Sequence, residues 1–223
     1  MLLQILTYTH HLTTMLFGIF LSAFFLGVKQ NKKNVCILLG GGAVSGLFFL
    51  ICNTVFGSLF TEAVYPIFVH LPLFLLLVFY YRFRWLPSII SIMTAYLCCQ
   101  FSNWAGIFAL SLSGLDWVYY LVRIIVTVAV FAFLSRYLCQ TTALLLAKSD
   151  RELYILGAMP FVYYVFDYST TKFSMLLYSG NKVVVEFLAF AMCISYVIFL
   201  FVYFQEYELK NRAEQYGQLT NMQ

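Results

Sequence analysis

The chain has 223 residues, of which 63% are hydrophobic and 10% are charged, whereas an average soluble domain carries about 25% charged residues. No water-soluble core could enclose that share of apolar side chains, so the composition excludes an ordinary soluble domain. The net charge of +4 gives no reason to expect nucleic acid as a partner, because the placement of Lys and Arg matters more than their sum in a membrane protein. We therefore interpret the chain as an all-α polytopic protein whose main partner is the lipid bilayer.

Seven apolar segments follow one another along the chain, and each ends at polar or turn-forming residues. A spanning helix needs roughly 20 apolar residues, so each segment is a predicted transmembrane helix. We place the transmembrane domain at residues 1–204 and the start of a cytoplasmic helix at residues 205–223. The apolar stretch 143–147 either extends the fifth helix or lies along the membrane interface. The seven segments are 12–28, 35–55, 64–81, 86–112, 117–138, 153–169 and 183–204.

The loops between these segments differ in charge on the two sides of the membrane. If the segments alternate in direction, ten Lys and Arg residues face one side and two, Lys172 and Lys182, face the other. Because Lys and Arg concentrate in cytoplasmic loops, this predicts an outside N-terminus and a cytoplasmic C-terminus. The ten residues are Lys29, Lys32, Lys33, Arg82, Arg84, Arg136, Lys148, Arg151, Lys210 and Arg212.

Several residue types of the apolar segments favour packing over chemistry. Gly40, Gly41, Gly42 and Gly46 in the second segment predict close helix contact, either within the chain or with a second copy. The six cysteines lack C-x-x-C spacing, so we expect free thiols and no metal site. The adjacent His10 and His11 point in different directions on a helix. The cysteines are Cys36, Cys52, Cys98, Cys99, Cys139 and Cys193.

Six polar residues within the segments are candidates for function, because ionisable groups in a bilayer are costly. We expect Arg123 to pair with Asp167 or Glu186, since the polar residues fall at a similar depth. Such a pair either only neutralises charge and fixes helix order, or belongs to an outward-facing pocket for a small ligand or peptide. The six candidates are His70, Gln100, Asn103, Arg123, Asp167 and Glu186, and the predicted pocket walls are Tyr119, Tyr120, Tyr163 and Tyr164.

Common catalytic motifs are missing from the sequence: it has no H-E-x-x-H, no G-x-S-x-G and no G-x-x-x-x-G-K-[ST]. We therefore assign no catalytic residue, metal or cofactor to this chain. A membrane peptidase or transferase that uses Cys98 or Cys99 with His70 is a third hypothesis, although no residue that would orient the base is legible.

The character of the chain changes after Phe204, where a polar, charged tail rich in helix formers begins. Its apolar positions recur in steps of four, three and four, as in a short parallel dimer coil. An ordinary solvated tail is the alternative, because the pattern covers less than two heptads. The predicted coil positions are Leu209, Ala213, Tyr216 and Thr220.

This tail, which begins F-Q-E-Y-E-L-K-N-R-A-E at Phe204, follows six or seven helices with very short outer loops. In both respects the chain resembles the membrane sensor region of bacterial histidine kinases with a GHKL-type ATPase domain, a group that includes peptide-quorum receptors. The resemblance covers the whole chain in architecture and about the last 20 residues in pattern.

The resemblance implies a homodimer in the bacterial cell membrane that binds an extracellular peptide or small molecule. The phospho-accepting His, ATP, Mg²⁺ and the contact with a response regulator would belong to a kinase domain beyond Gln223. The sequence ends in what looks like the middle of a helix, so we expect either a fragment or a protein that has lost its output domain. The main alternative is a small transporter or substrate-binding membrane subunit, for which the same polar residues would form a translocation site.

Overall fold

A computed structural model of the chain describes residues 2–57, 64–172 and 182–221, and within these residues the fold is all-α with no strand. A helix occurs at each of the seven predicted segments. The helices are α1 Leu2–Phe25, α2 Lys32–Phe56, α3 Pro66–Tyr80, α4 Trp85–Cys98, α5 Gln100–Ser113, α6 Asp116–Tyr137, α7 Cys139–Leu146, α8 Asp150–Lys172 and α9 Lys182–Asn221.

Four helices in the described chain are long and apolar enough to cross a membrane, fewer than the seven that the sequence predicts. They are α2, the combined α4 and α5 (Trp85–Ser113), α6, and Phe190–Gln215 within α9. The helix α3 is shorter, and α1 and α8 carry more polar residues. These features are those of a membrane protein, and lipid accounts for the many exposed apolar side chains of α2, α6 and α9.

The helix α1 lies at the centre of the packing and contacts α2, α4, α6 and α7. Leu21, Ala23 and Phe25 in its second half are almost completely buried and belong to the larger apolar core. Ser91 of α4 donates a hydrogen bond to the carbonyl of Ser22, which joins the two helices through a polar contact. The predicted start of this helix at Leu12 is wrong, because the helix begins at Leu2.

Two breaks divide long apolar stretches into separate helices. Cys99 lies between α4 and α5, and its N–H bonds to the carbonyls of both Ala95 and Tyr96. Leu138 lies between α6 and α7, with φ of −108°. The stretch 143–147 therefore does not extend the fifth predicted helix, because α6 ends at Tyr137 and α7 forms a short helix that packs on α1.

The helix α3 is α-helical only in its middle turn. The turns Pro66–His70 and Leu76–Tyr80 are π-helical, and Leu71–Leu75 between them is α-helical. Pro72 has no N–H, so it cannot donate to the turn that precedes it. π-helical turns are frequent at functional sites, and His70 ends the first of them.

Three of the four glycines in α2 pack against other helices of the same chain. A Cβ at Gly42 would lie 3.2 Å from Ile19 Cδ1, one at Gly46 would lie 3.4 Å from Met15 Cε, and one at Gly41 would lie 3.4 Å from a methyl group of Leu76. Of the four glycines in α2, Gly40 alone has no atom within 4 Å of an added Cβ. The glycines therefore serve the contacts of α2 with α1 and α3.

Gly157 of α8 packs closely against Ile90 of α4, and this contact generates a prediction. A Cβ at this position would lie 2.6 Å from Ile90 Cγ1. We expect Gly157→Ala to lower the free energy of unfolding in detergent by about 1–3 kcal/mol through overpacking. Adding Ile90→Ala, which removes the clashing atoms, should recover part of that loss.

The matched control is Gly40→Ala, where the new methyl group meets no atom within 4 Å. It should raise stability by about 0.5–1 kcal/mol, because Ala is the better helix former. Equal effects of the two substitutions would contradict the close contact of α4 and α8.

Candidate functional site

Four helices bring polar and aromatic side chains together in what we call the Asp167 cluster. Residues of α3, the α4–α5 stretch and α8 contribute to it, and four of the six candidates from the sequence belong to it. The cluster comprises His70, Tyr96, Gln100, Asn103, Tyr163, Tyr164 and Asp167.

A buried carboxylate forms the centre of this cluster. Asp167 is 8% exposed, and its Oδ2 accepts a 2.6 Å hydrogen bond from the Tyr96 hydroxyl. Gln100 Nε2 donates to the same oxygen at 3.5 Å, and Asn103 Nδ2 donates to Gln100 Oε1 at 3.3 Å. The three donors follow one another at helical spacing, so one face of α4 and α5 presents them to α8.

A histidine extends the cluster to α3. His70 Nδ1 is hydrogen-bonded to the Tyr164 hydroxyl at 2.9 Å. The His70 ring meets Tyr65 and Tyr96 edge to face, with ring centroids 5.4 Å and 5.8 Å apart. These edge-to-face contacts are favourable for aromatic rings and fix the orientation of the imidazole.

The cluster also touches a second apolar core that reaches α9. Tyr163 is fully buried, its ring lies 6.4 Å from that of Tyr96, and it packs in one core with Cys193 and Tyr196 of α9. The Tyr196 hydroxyl donates to the carbonyl of Leu156 at 2.9 Å. A change at Asp167 is therefore one helical turn of α8 away from a direct contact with α9.

Arg123 contacts a different set of residues. Its Nη1 donates to the Tyr119 hydroxyl, and its guanidinium carbon lies 5.1 Å above the Tyr119 ring. No described carboxylate lies within 4.0 Å of Arg123, so the predicted pair with Asp167 is wrong. The physical reason is that Asp167 is bound by Tyr96 and Gln100 instead. The predicted pair with Glu186 stays a prediction, because that side chain lies outside the described part of the structure.

The four predicted pocket walls divide between these two places. Tyr163 and Tyr164 belong to the Asp167 cluster, whereas Tyr119 and Tyr120 lie beside Arg123 on α6. The six candidates therefore do not share one set of contacts in the described residues. Polar residues at the same depth in the membrane can belong to different pairs of helices. The sequence indicated the depth of these residues and not which helices are neighbours.

The contacts of two residues at these sites were not predicted from the sequence. Tyr96 carries the shortest hydrogen bond to Asp167, and its position four residues before Gln100 on one helix face was the available signal. His10 is buried beside Tyr120 with ring centroids 5.9 Å apart, and Thr14 Oγ1 lies 3.3 Å from its Nδ1. No local pattern could have shown that His10 meets α6.

The contacts of Cys98, Cys99 and His70 do not support the peptidase or transferase hypothesis. Cys99 donates its thiol to the carbonyl of Ala95, Cys98 is buried, and His70 bonds to Tyr164. Neither thiol is hydrogen-bonded to His70 in the described residues. The described part of the chain also contains no group of three His, Cys, Asp or Glu residues placed to hold a metal ion.

A groove of about 440 Å³ runs between α8 and α9. The hydroxyl of Ser195 in its wall is already bonded to the carbonyl of Ala191. Such a surface suits an apolar occupant and offers nothing to orient a polar ligand. The lining residues are Ile155, Ala158, Met159, Val162, Ser195, Tyr196 and Phe199.

No protein-family model, curated protein or solved structure matches this chain. Its function must therefore be inferred from its own residues and their geometry.

The hydrogen bond between Tyr96 and Asp167 generates the second prediction. Tyr96→Phe should lower the free energy of unfolding in detergent by about 1.5–3 kcal/mol, the usual contribution of a hydrogen bond to a charged group. Asp167→Asn should reduce the effect of Tyr96→Phe, because the two substitutions remove one shared interaction.

Tyr154→Phe is the control, since Tyr154 is 60% exposed on the same helix as Asp167. It should change stability by less than about 0.5 kcal/mol. If Tyr96→Phe has no larger effect than Tyr154→Phe, the bond to Asp167 does not stabilise the bundle.

Proposed function

We propose that this chain is the membrane-embedded receptor region of a bacterial two-component sensor histidine kinase of the GHKL type. A small molecule or peptide binds in the outer half of the helix bundle, and α9 carries the signal to the cytoplasm. The observation that carries this proposal is the continuity of α9, which runs from Lys182 to Asn221 over 40 residues. A helix of that length is about 60 Å long and joins an apolar span to the charged tail without a break.

The packing of α8 on α9 supports a mechanical route between the two parts. Ligand binding near Asp167 would shift α8, and Tyr163 packs directly against Cys193 and Tyr196 of α9. Closely packed interfaces change between discrete arrangements rather than deforming continuously, so a small shift of α8 can become a different position of α9. Coupling requires a ligand that binds the two arrangements with different affinities.

A lysine between α7 and α8 contacts α9 near the middle of its length, where the polar tail begins. Lys148 Nζ lies 4.2 Å from the centre of the Tyr207 ring and 5.0 Å from that of Tyr203. It also donates to the Tyr203 hydroxyl at 3.0 Å and to Glu152 at 3.4 Å. Burial alone would lower the pKa of Lys148, but the bonds to Tyr203 and Glu152 raise it above its usual value, so the lysine stays charged at neutral pH.

The loop that carries Lys148 is itself anchored to the segment before α4. Arg84 Nη1 donates to the carbonyl of Lys148 at 3.2 Å, and Arg84 forms an ion pair with Asp150. Glu152 accepts hydrogen bonds from the N–H and hydroxyl of Ser149, which caps the start of α8. The position of α9 is thus linked to α4 and α8 where the polar tail begins as well as within the bundle.

The distribution of charge supports the seven-span orientation. The anchored loop at Arg84 and Lys148 and the charged tail of α9 carry six of the thirteen Lys and Arg residues, as expected of a cytoplasmic face. In the predicted dimer coil, Leu209 is 66% exposed and Ala213 is exposed, as a contact surface for a second copy requires. The side chains of Tyr216 and Thr220 lie outside the described part.

The third prediction tests the topology with reporter fusions. Fusions after Lys33, Arg84, Ser149 and Gln223 should report the cytoplasm, because they follow the positively charged loops. Fusions at Glu62, Gly114 and Gly180 should report the outside. A cytoplasmic signal at Gly180 would remove the seven-span arrangement, and α9 would then start on the wrong side for a receptor.

The fourth prediction tests signal transfer through α9. A GHKL kinase core fused in register after Gln223 should give a phosphorylating chimera, measured as phosphate transfer from ATP in membranes. Inserting two residues at the junction should alter its activity, because the insertion rotates the helix by about 200°.

Lys148→Gln should also change the basal activity of the chimera, since it releases Tyr203 and Tyr207. Lys210→Gln is the control, because it removes an exposed lysine from α9, the helix that carries Tyr203 and Tyr207. A chimera indifferent to both the insertion and Lys148→Gln would favour the transporter alternative.

A further inference from the structure

The surroundings of Arg123 place a permanent positive charge inside one of the candidate spans. Arg123 is the eighth residue of α6, about 10 Å from the start of that helix. An arginine side chain keeps its positive charge inside a protein. In the described residues no carboxylate lies within 4.0 Å of it.

The neighbouring helix is shaped to receive this side chain. A Cβ at Gly106 of α5 would overlap Arg123 Cγ, and it would lie 2.8 Å from Cδ and 3.1 Å from Tyr119 Cδ2. Only glycine therefore leaves room for the stem of Arg123 along α5. The Tyr119 ring covers one face of the guanidinium, with 5.1 Å from its centre to Cζ. The arginine is thus held in one place by α5 and its own helix.

One edge of the guanidinium has no partner within the described chain. The bond from Nη1 to Tyr119 is its one hydrogen bond to described residues. The Nε atom is buried and makes none. Nε and Nη2 form the edge of the guanidinium fork that binds two oxygens of a carboxylate or phosphate side by side.

We propose that Arg123 is the centre of an anion-binding site for a group with two anionic oxygens, which binds along the Nε–Nη2 edge when the side chains that cover Nε move aside. Either the phosphate of an anionic lipid headgroup or a free oxyanion in solution offers this chemistry. Half-exposed Arg123 lies close enough to the start of α6 for its side chain to reach the level of headgroups. The site goes beyond the receptor proposal and does not depend on it, since binding is measured without any signalling.

The test uses the full chain, purified in a non-ionic detergent, and native mass spectrometry of bound lipid. Wild type should bind phosphatidylglycerol about tenfold more tightly than Arg123→Gln, because that substitution removes the charged fork. Both should bind diacylglycerol equally, because it has the same acyl chains and no phosphate. Arg136→Gln, which removes an exposed arginine from the same helix, should match wild type.

A second arm distinguishes the source of the oxyanion. Inorganic phosphate or acetate, added at constant ionic strength without lipid, should raise the melting temperature of wild type and not of Arg123→Gln if the site takes a free oxyanion. Phosphatidylglycerol binding without this shift identifies the lipid headgroup. If neither arm separates wild type from Arg123→Gln, the proposal is overturned.

Two further variants keep the test decisive if Arg123→Gln does not fold. Arg123→Lys keeps the charge and loses the fork, so it should bind more weakly than wild type. Tyr119→Phe keeps the ring and frees Nη1, so it should bind at least as tightly as wild type. Binding that appears only after Glu186→Gln would show that Glu186 fills the site, and it would overturn the proposal.

Discussion

A carboxylate buried among apolar helices must be given hydrogen-bond donors, and this requirement at Asp167 constrains how α8 meets α4 and α5. Leaving such a group without donors costs several kcal/mol, so Tyr96 and Gln100 have to lie opposite it. The close contact of Gly157 with Ile90 sets the distance between α4 and α8 two to three turns away. One polar and one steric contact together determine the rotation and the separation of these helices.

Arg123 meets the same requirement only in part, because its buried Nε has no hydrogen-bond partner among the described residues. Its contacts are an aromatic ring and hydroxyl one turn away on its own helix, and Gly106 on the neighbouring helix makes room for its stem. Pairing Arg123 with Asp167 would neutralise both charges. In the structure each charge instead lies in its own surroundings, one carboxylate among tyrosines and one guanidinium beside α5.

The helix α9 contacts the rest of the described chain at two levels. Within the bundle, Cys193 and Tyr196 share a core with Tyr163 of α8. Where the polar tail begins, the ammonium group of Lys148 lies over the rings of Tyr203 and Tyr207. One uninterrupted helix joins the two levels, so the receptor proposal expects a shift at the first level to change the contacts at the second. This arrangement is the physical basis of the receptor proposal.

The sequence by itself determined that a helix lies at each of the seven apolar segments and which polar residues fall within them, because hydropathy is a property of each segment alone. It did not show that α1 begins at Leu2 or that the fourth segment is divided at Cys99. It predicted the positions of His70, Gln100, Asn103 and Asp167, which do meet, and an Arg123 pair with Asp167, which does not form. Only the tertiary structure decided that Tyr96 binds Asp167, that His10 is buried against α6, and that α7 is a separate helix. These contacts depend on which helices are neighbours and how each is rotated about its axis, and no local pattern in a single sequence records either quantity.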